Sequence, residues 1–235
     1  MARKQWYFAY GSNLDLERYE SRIGRLVANG YDADEVLGGE YPDTCTICKD
    51  DDCVFHVRDW YISKKNYEIF KKIYNVKQVK LKGFKFEFNK DGGVGIISPG
   101  LYSSKKPEAI TYSNIMPRKN GVVFGVIYSC TEEEFEILDG YEGTQSGHYK
   151  RFPVNVVDVK TGKTYKATTY VACEDKIVKP PPYLRPTNEY LEFILQGGRW
   201  HKLPKKYLDK IDDLTAVGVK NILYSARQTK DSMYD

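Results

Sequence analysis

Trp6-Tyr7-Phe8-Ala9-Tyr10-Gly11-Ser12-Asn13-Leu14-Asp15 is a run of aromatics that stops at Gly-Ser-Asn, where an amphipathic pattern begins. Five apolar or aromatic residues from Trp6 to Tyr10 suit a strand covered on both faces. Gly11 permits backbone angles and close approaches that a side chain forbids. Ser12 and Asn13 are expected to cap the helical pattern after them, so the stretch reads as strand, tight turn and helix start. Such a turn aims free backbone N–H groups at one spot, a seat for a carboxylate or a developing oxyanion. An ordinary strand-to-helix connector uses the same residue types.

Working outward, Leu16, Tyr19, Ile23, Leu26 and Val27 recur at helical spacing as far as Asn29-Gly30, which predicts one helix. From Tyr31 to Val76 the character changes. Asp32 to Glu35 can cap a short helix, three cysteines come next, and Ser63 opens a second helical pattern through Tyr67, Phe70, Ile73 and Tyr74. The chain therefore reads as one domain, residues 1–235, with an inserted cysteine-rich and helical subdomain at about 31–77. Gln78 to Asn89 carries Val79 and Leu81 on one phase and Phe84, Phe86 and Phe88 on the other, a strand bent by a bulge at Gly83. Gly92-Gly93-Val94-Gly95 reads as a hairpin turn, and 99–120 as loop.

Gly121 to Tyr128 is a core strand, and Thr131 with Glu134 forms a capping box for a short helix expected to end at Asp139-Gly140. Residues 151–159 and 163–172 make a hairpin around Thr161-Gly162. Thr187 caps a last strong helix through Tyr190, Leu191, Ile194 and Leu195, stopped by Gly197-Gly198, and Leu203-Pro204 starts a shorter one. Five or six strands linked mainly by hairpins, with helices attached at the ends, define the α+β class and a small mixed sheet or barrel.

Composition bounds the function. With 235 residues and 41% hydrophobic content there is material for one full core. Lys and Arg number 36 against 32 acids, a net charge of +4 spread along the chain, which does not mark nucleic acid or membrane as the main partner. No apolar run approaches membrane-spanning length, and a cytoplasmic location is the default. Cys130 and Cys173 sit in apolar strand-like contexts as small hydrophobes. Cys45, Cys48, Cys53 and His56 offer four soft ligands over a short span, a set suited to a tetrahedral structural zinc. An acidic loop, Asp50-Asp51-Asp52, carrying free thiols is the plainer reading.

Leu138-Asp139-Gly140-Tyr141-Glu142-Gly143 is the second informative stretch. A glutamate between an aromatic and a glycine, just past a helix end, sits where burial can raise its pKa for general acid–base work. Together with Tyr10-Gly11-Ser12-Asn13, this stretch resembles the gamma-glutamylcyclotransferase family, also called AIG2-like. The first motif is similar to that family's substrate loop, and Leu138-Asp139-x-x-Glu142-Gly143 to the segment carrying its catalytic glutamate. Gly147-His148-Tyr149, Tyr190, Gly197-Gly198 and Leu203-Pro204-x-x-Tyr207 extend the likeness, which covers about 6–29 and 80–211.

The resemblance implies a small closed β-barrel with flanking helices and a cofactor-free reaction in which a γ-glutamyl group cyclises to 5-oxoproline and releases an amine. It implies Glu142 as the proton shuttle, with Tyr10, Gly11, Ser12, Asn13, Tyr149 and Tyr190 binding a small γ-glutamyl substrate. No nucleic acid or membrane partner is expected, and the protein is expected to be a monomer or homodimer. Two rivals remain on the sequence: a binding module of the same fold without catalysis, and a zinc-knuckle protein binding nucleic acid through Lys80, Lys82 and Lys85. Those lysines alternate with apolar residues as a strand's solvent face does.

Overall fold

The computed structural model describes residues 4–38, 62–94, 109–178, 186 and 188–214. The proposed zinc ligands Cys45, Cys48, Cys53 and His56 lie outside the described residues, as does Thr187. The aromatic run forms strand β1, Gln5–Ala9. Long strands β2, Lys77–Val94, and β3, Ala109–Cys130, come next, then β4, Tyr149–Asp158, and β5, Thr164–Ala172. They close into a barrel in the order β1-β3-β2-β4-β5. β1 lies antiparallel to β3, with Tyr7 opposite Tyr128, and meets β5 in parallel at Tyr7 and Thr168.

Helices α1, Leu16–Ile23, α2, Arg25–Ala28, α3, Ala33–Leu37, and α4, Lys64–Tyr74, come before β2. α5, Glu132–Glu142, succeeds β3, and α6, Asn188–Trp200, and α7, 205–214, end the described chain. The α+β barrel with flanking helices is the architecture expected from the sequence.

Several expectations need correction. The helix after the turn is broken: Gly24 takes a left-handed conformation at φ 71°, ends α1 and starts α2, and Val27 is left exposed. Asp15, rather than Ser12 or Asn13, caps α1 by accepting from the Arg18 N–H, while Ser12–Leu14 form a 3₁₀ turn. Residues 109–120 are strand, paired with 84–94, rather than loop. Their inward positions Thr111, Ser113 and Ile115 are buried, but two of the three are polar, so hydrophobic alternation does not show.

α5 does not stop at Asp139-Gly140. It runs to Glu142, and Gly143 at φ 63° caps it, so the glutamate sits on the last turn of a helix. Gly197-Gly198 do not stop α6 either, because they serve close packing. A Cβ on Gly197 would fall 2.2 Å from the Leu14 carbonyl carbon, and one on Gly198 2.5 Å from Leu208 Cδ2. The Thr131–Glu134 capping box, the β4–β5 hairpin and the register shift at Gly83, φ 83°, are all present.

The core is rich in tyrosine. Tyr19 and Tyr128 stack with ring centroids 3.9 Å apart, and Tyr74 meets Tyr19 edge-on at 5.1 Å. Their hydroxyls are satisfied: Tyr74 donates to the buried Glu20, Tyr19 faces Cys130 Sγ at 3.1 Å, and Tyr128 donates to the Asn13 carbonyl at 3.1 Å. α4, which the sequence assigned to the inserted segment, therefore supplies two fully buried rings, Phe70 and Tyr74, to the barrel's own core.

Candidate active site

Several elements converge at one end of the barrel. β1 and its turn deliver Tyr7, Tyr10, Gly11, Ser12 and Asn13, β3 delivers Ser113, the end of α5 Glu142, and β4 and α6 deliver Tyr149 and Tyr190. With Tyr170 these residues line a pocket of about 30 Å³, and every catalytic and substrate residue expected from the sequence is among them. It opens on a wider cavity of about 310 Å³ that shares Ser12, Glu142, Tyr149 and Tyr190. The inner pocket holds little more than water, while the pair together has the size of a small-molecule site.

A Cβ on Gly11 would lie 2.4 Å from Ser113 Oγ, so a side chain there would displace that hydroxyl from its place beside Tyr190. The Ser12 and Asn13 N–H groups begin the 3₁₀ turn and have no acceptor within it, which is closed by the bond from Leu14 N–H to the Gly11 carbonyl. Behind the turn, His201 is buried between two tyrosine hydroxyls, Tyr67 at Nδ1 and Tyr128 at Nε2, each 3.0 Å away. Burial lowers its pKa to about 3, so it stays neutral and props the turn from below.

Asn13 organises the centre. Its Nδ2 donates to the Tyr7 hydroxyl at 2.7 Å and to Glu142 Oε1 at 3.1 Å, and its Oδ1 accepts from Arg22 Nη1 at 2.5 Å. The orientation of the amide comes from its partners, since a guanidinium only donates and a carboxylate only accepts. Arg22 Nη1 also lies 3.3 Å from Glu142 Oε1, and its guanidinium rests over the Tyr141 ring at 4.7 Å.

The Glu142 side chain is 17% exposed, and it lines both cavities. Burial raises its pKa above the ordinary carboxylate range, while Arg22, the Asn13 amide and Arg18 oppose the rise. Its helix is fixed from the outer side, where Arg151 holds Asp139 with two bonds of 2.9 and 2.8 Å and Tyr170 donates to Asp139 Oδ1 at 2.8 Å. A buried carboxylate with a raised pKa in a polar cleft has the properties of a general acid–base group.

Tyr149 donates to the Ser113 carbonyl at 2.8 Å, and the Tyr190 hydroxyl meets Ser113 Oγ at 2.7 Å. Tyr10 donates to the Tyr170 carbonyl at 2.7 Å. Burial pushes the pKa of all three upward, so they remain neutral donors and acceptors rather than bases. The sequence reading missed Tyr7, Arg22, Ser113 and Tyr170. Arg22 had a signal, because Arg18 and Arg22 stand four apart on one face of α1.

A family model described as AIG2-like matches residues 122–211. A solved structure described as gamma-glutamyl cyclotransferase superposes with a TM-score of 0.55 at 19% identity, covering 89% of this chain and 87% of that chain. Uncharacterized protein loc79017 from Homo sapiens gives 0.54 at 19% identity, over 89% and 86% of the two chains. YkqA from Bacillus subtilis gives 0.51 at 18% identity, over 90% of this chain and 54% of its own. No curated protein matches the chain. The matched segment is similar to the AIG2-like family, and the barrel with flanking helices shares its fold with the gamma-glutamyl cyclotransferase structure, in line with the resemblance read from the sequence. Among the described residues no helix is long and apolar enough to cross a membrane.

Proposed function

We propose that the protein is a cyclotransferase that closes a γ-glutamyl group onto itself, forming 5-oxoproline and releasing an amine. The observation that carries this is the Glu142 carboxylate, facing a small polar pocket, with its pKa raised and the Gly11–Asn13 turn beside it. The substrate's α-ammonium cannot attack while protonated. Glu142 takes one proton, and the freed amine adds to the γ-carbonyl carbon of the same molecule, with a large entropic advantage because both groups are already joined.

The oxyanion that forms lies against the Ser12 and Asn13 N–H groups. Glu142 then returns its proton to the amide nitrogen as the old C–N bond breaks. The new ring nitrogen loses its second proton to the regenerated carboxylate, which passes it to the departing amine, so charges and protons balance without a cofactor. Tyr149 and Tyr190 border the bound glutamyl group and orient it, and Arg22 holds Asn13 and Glu142 in register.

The test is 5-oxoproline release from γ-glutamyl-alanine, glutathione, γ-glutamyl-ε-lysine and a γ-glutamyl amine. Release from at least one is expected, and release from none would leave a binding module of the same fold as the reading.

A further inference from the structure

Five tyrosines line the inner pocket, and the bonds made by their hydroxyls divide them. Tyr10 donates to the Tyr170 carbonyl, Tyr149 to the Ser113 carbonyl and Tyr170 to Asp139 Oδ1. The Tyr190 hydroxyl pairs with Ser113 Oγ and accepts from the Ser113 N–H at 3.3 Å. Tyr7 differs. Its oxygen accepts from Asn13 Nδ2 at 2.7 Å, an amide nitrogen that cannot accept in return, and among the described residues the Tyr7 proton has no acceptor.

The ring needs no bond from that proton to stay in place. Tyr7 is 4% exposed on β1, and the rings of Tyr19, Tyr128, Phe135 and Tyr170 surround it at centroid distances of 5.8 to 6.3 Å. Packing fixes the ring, and the hydroxyl is left for the pocket. Burial first, and then the charge of Glu142, raise its pKa, so the phenol keeps its proton throughout the working range of pH. An oxygen that already accepts a hydrogen bond makes its own O–H a stronger donor. A buried O–H without an acceptor is costly, and a ligand that supplies one removes the cost.

We propose that Tyr7 is a catalytic residue whose O–H donates to the γ-carbonyl oxygen as that oxygen becomes negative, adding a side-chain donor to the Ser12 and Asn13 N–H groups. This rests on the cyclotransferase reading. A γ-glutamyl group offers two kinds of acceptor, its α-carboxylate and its γ-carbonyl. One nitrogen, Asn13 Nδ2, touches both the Tyr7 hydroxyl, at 2.7 Å, and Glu142 Oε1, at 3.1 Å. Glu142 has to reach the two nitrogens that flank the γ-carbon, so the hydroxyl held beside it stands at the reacting carbonyl rather than at the carboxylate on the far side of the ring that forms. Tyr7 gives a hydrogen bond and transfers no proton, and the proton balance of the reaction is unchanged. Its bond strengthens as charge builds on the oxygen, so its effect falls on kcat rather than on KM.

The experiment measures 5-oxoproline release by Tyr7→Phe from whichever of the four compounds the parent turns over fastest. The variant keeps the buried ring and loses only the hydroxyl. Its kcat should fall roughly a hundred- to a thousandfold, the usual effect of removing one oxyanion donor, with KM changed no more than a few-fold. A second variant carries 2,3,5,6-tetrafluorotyrosine at position 7, which keeps the hydroxyl and its bond from Asn13 but loses its proton at a much lower pH. A phenolate cannot donate, so kcat of this variant should fall on the alkaline side at a pH where that of the parent is still level.

A kcat of Tyr7→Phe within about threefold of the parent's, far less than an oxyanion donor contributes, would overturn the proposal. So would a raised KM at unchanged kcat, which would assign the hydroxyl to ground-state binding of the glutamyl group. A level alkaline profile for the fluorinated variant would reduce Tyr7 to a support for Asn13 and overturn the proposal even where Tyr7→Phe is inactive or unfolded. In each of these cases a parent that releases 5-oxoproline leaves the cyclotransferase reading standing. A parent that releases it from none of the four removes that reading, and this inference with it.

Discussion

Asn13 Nδ2 lies 3.1 Å from Glu142 Oε1, although 129 residues of chain separate them. The Gly11–Asn13 turn and the carboxylate proposed to move the protons are thus one hydrogen-bonded unit, with Arg22 bonded to both. Displacing either partner displaces the other.

Glu142→Gln keeps the bond to Asn13 but cannot accept a proton. Turnover should fall by roughly two to four orders of magnitude. A γ-glutamyl ligand should still raise the melting temperature of the variant about as much as that of the parent. Retention of more than about a tenth of the rate would remove Glu142 from the role given to it.

In the proposed reaction the same carboxylate should set an acid limit on activity. It must be ionised before substrate binds, and burial has raised its pKa, so kcat/KM should decline on acidification from a pH above the ordinary carboxylate range. Arg22 is the largest influence holding that pKa down. Arg22→Met should therefore move the acid limb about one pH unit or more upward, and Arg22→Lys should restore part of the shift. A uniform loss at every pH would mark Arg22 as a packing residue only.

His201 makes stability depend on acid. Its folded pKa, about 3, is below the ordinary 6.5, so its contribution is complete above about 6.5 and drains away as pH falls toward 3. Within that window the unfolded chain binds a proton that the native protein refuses, at about 1.4 kcal/mol per pH unit. The melting temperature of His201→Gln, measured between pH 7 and 4, should fall less steeply than that of the parent.

Two glycines should respond with opposite sign. Gly197→Ala drives a methyl group into the Leu14 backbone and should cost roughly 1–3 kcal/mol or more, with loss of activity, because α6 is pushed off the substrate turn. Gly140→Ala meets nothing within 4 Å on the exposed face of α5 and should add about 1 kcal/mol of stability. Urea unfolding of the two variants checks both.

Local chemistry explains what the sequence made legible. The strand and turn at Trp6–Asp15, the capping box at Thr131 and Glu134 and the bulge at Gly83 are set by residues within a few positions of one another. Ser113 was invisible because a strand facing a polar pocket loses the alternation by which strands are recognised. Gly197-Gly198 misled for a related reason: glycine means a stop to the local chain, but here it answers to packing against Leu14 and Leu208, outside its own helix. Glu142 was found by motif, yet its attachment to Asn13 and Arg22 is long-range and left no local trace.

The position of β1 between β3 and β5 bears on how the protein acquires its structure. Tyr7 pairs with Tyr128 on one side and with Thr168 on the other, so the first strand has no partner until most of the chain has been made. Such distant pairings are slow to form, since the intervening chain must be closed into a loop before any contact rewards it. The Gly11–Asn13 turn, to which the proposed function assigns the substrate, comes directly after β1. Activity should consequently be the last property to return on refolding, appearing with closure of the barrel and well after the β4–β5 hairpin has formed.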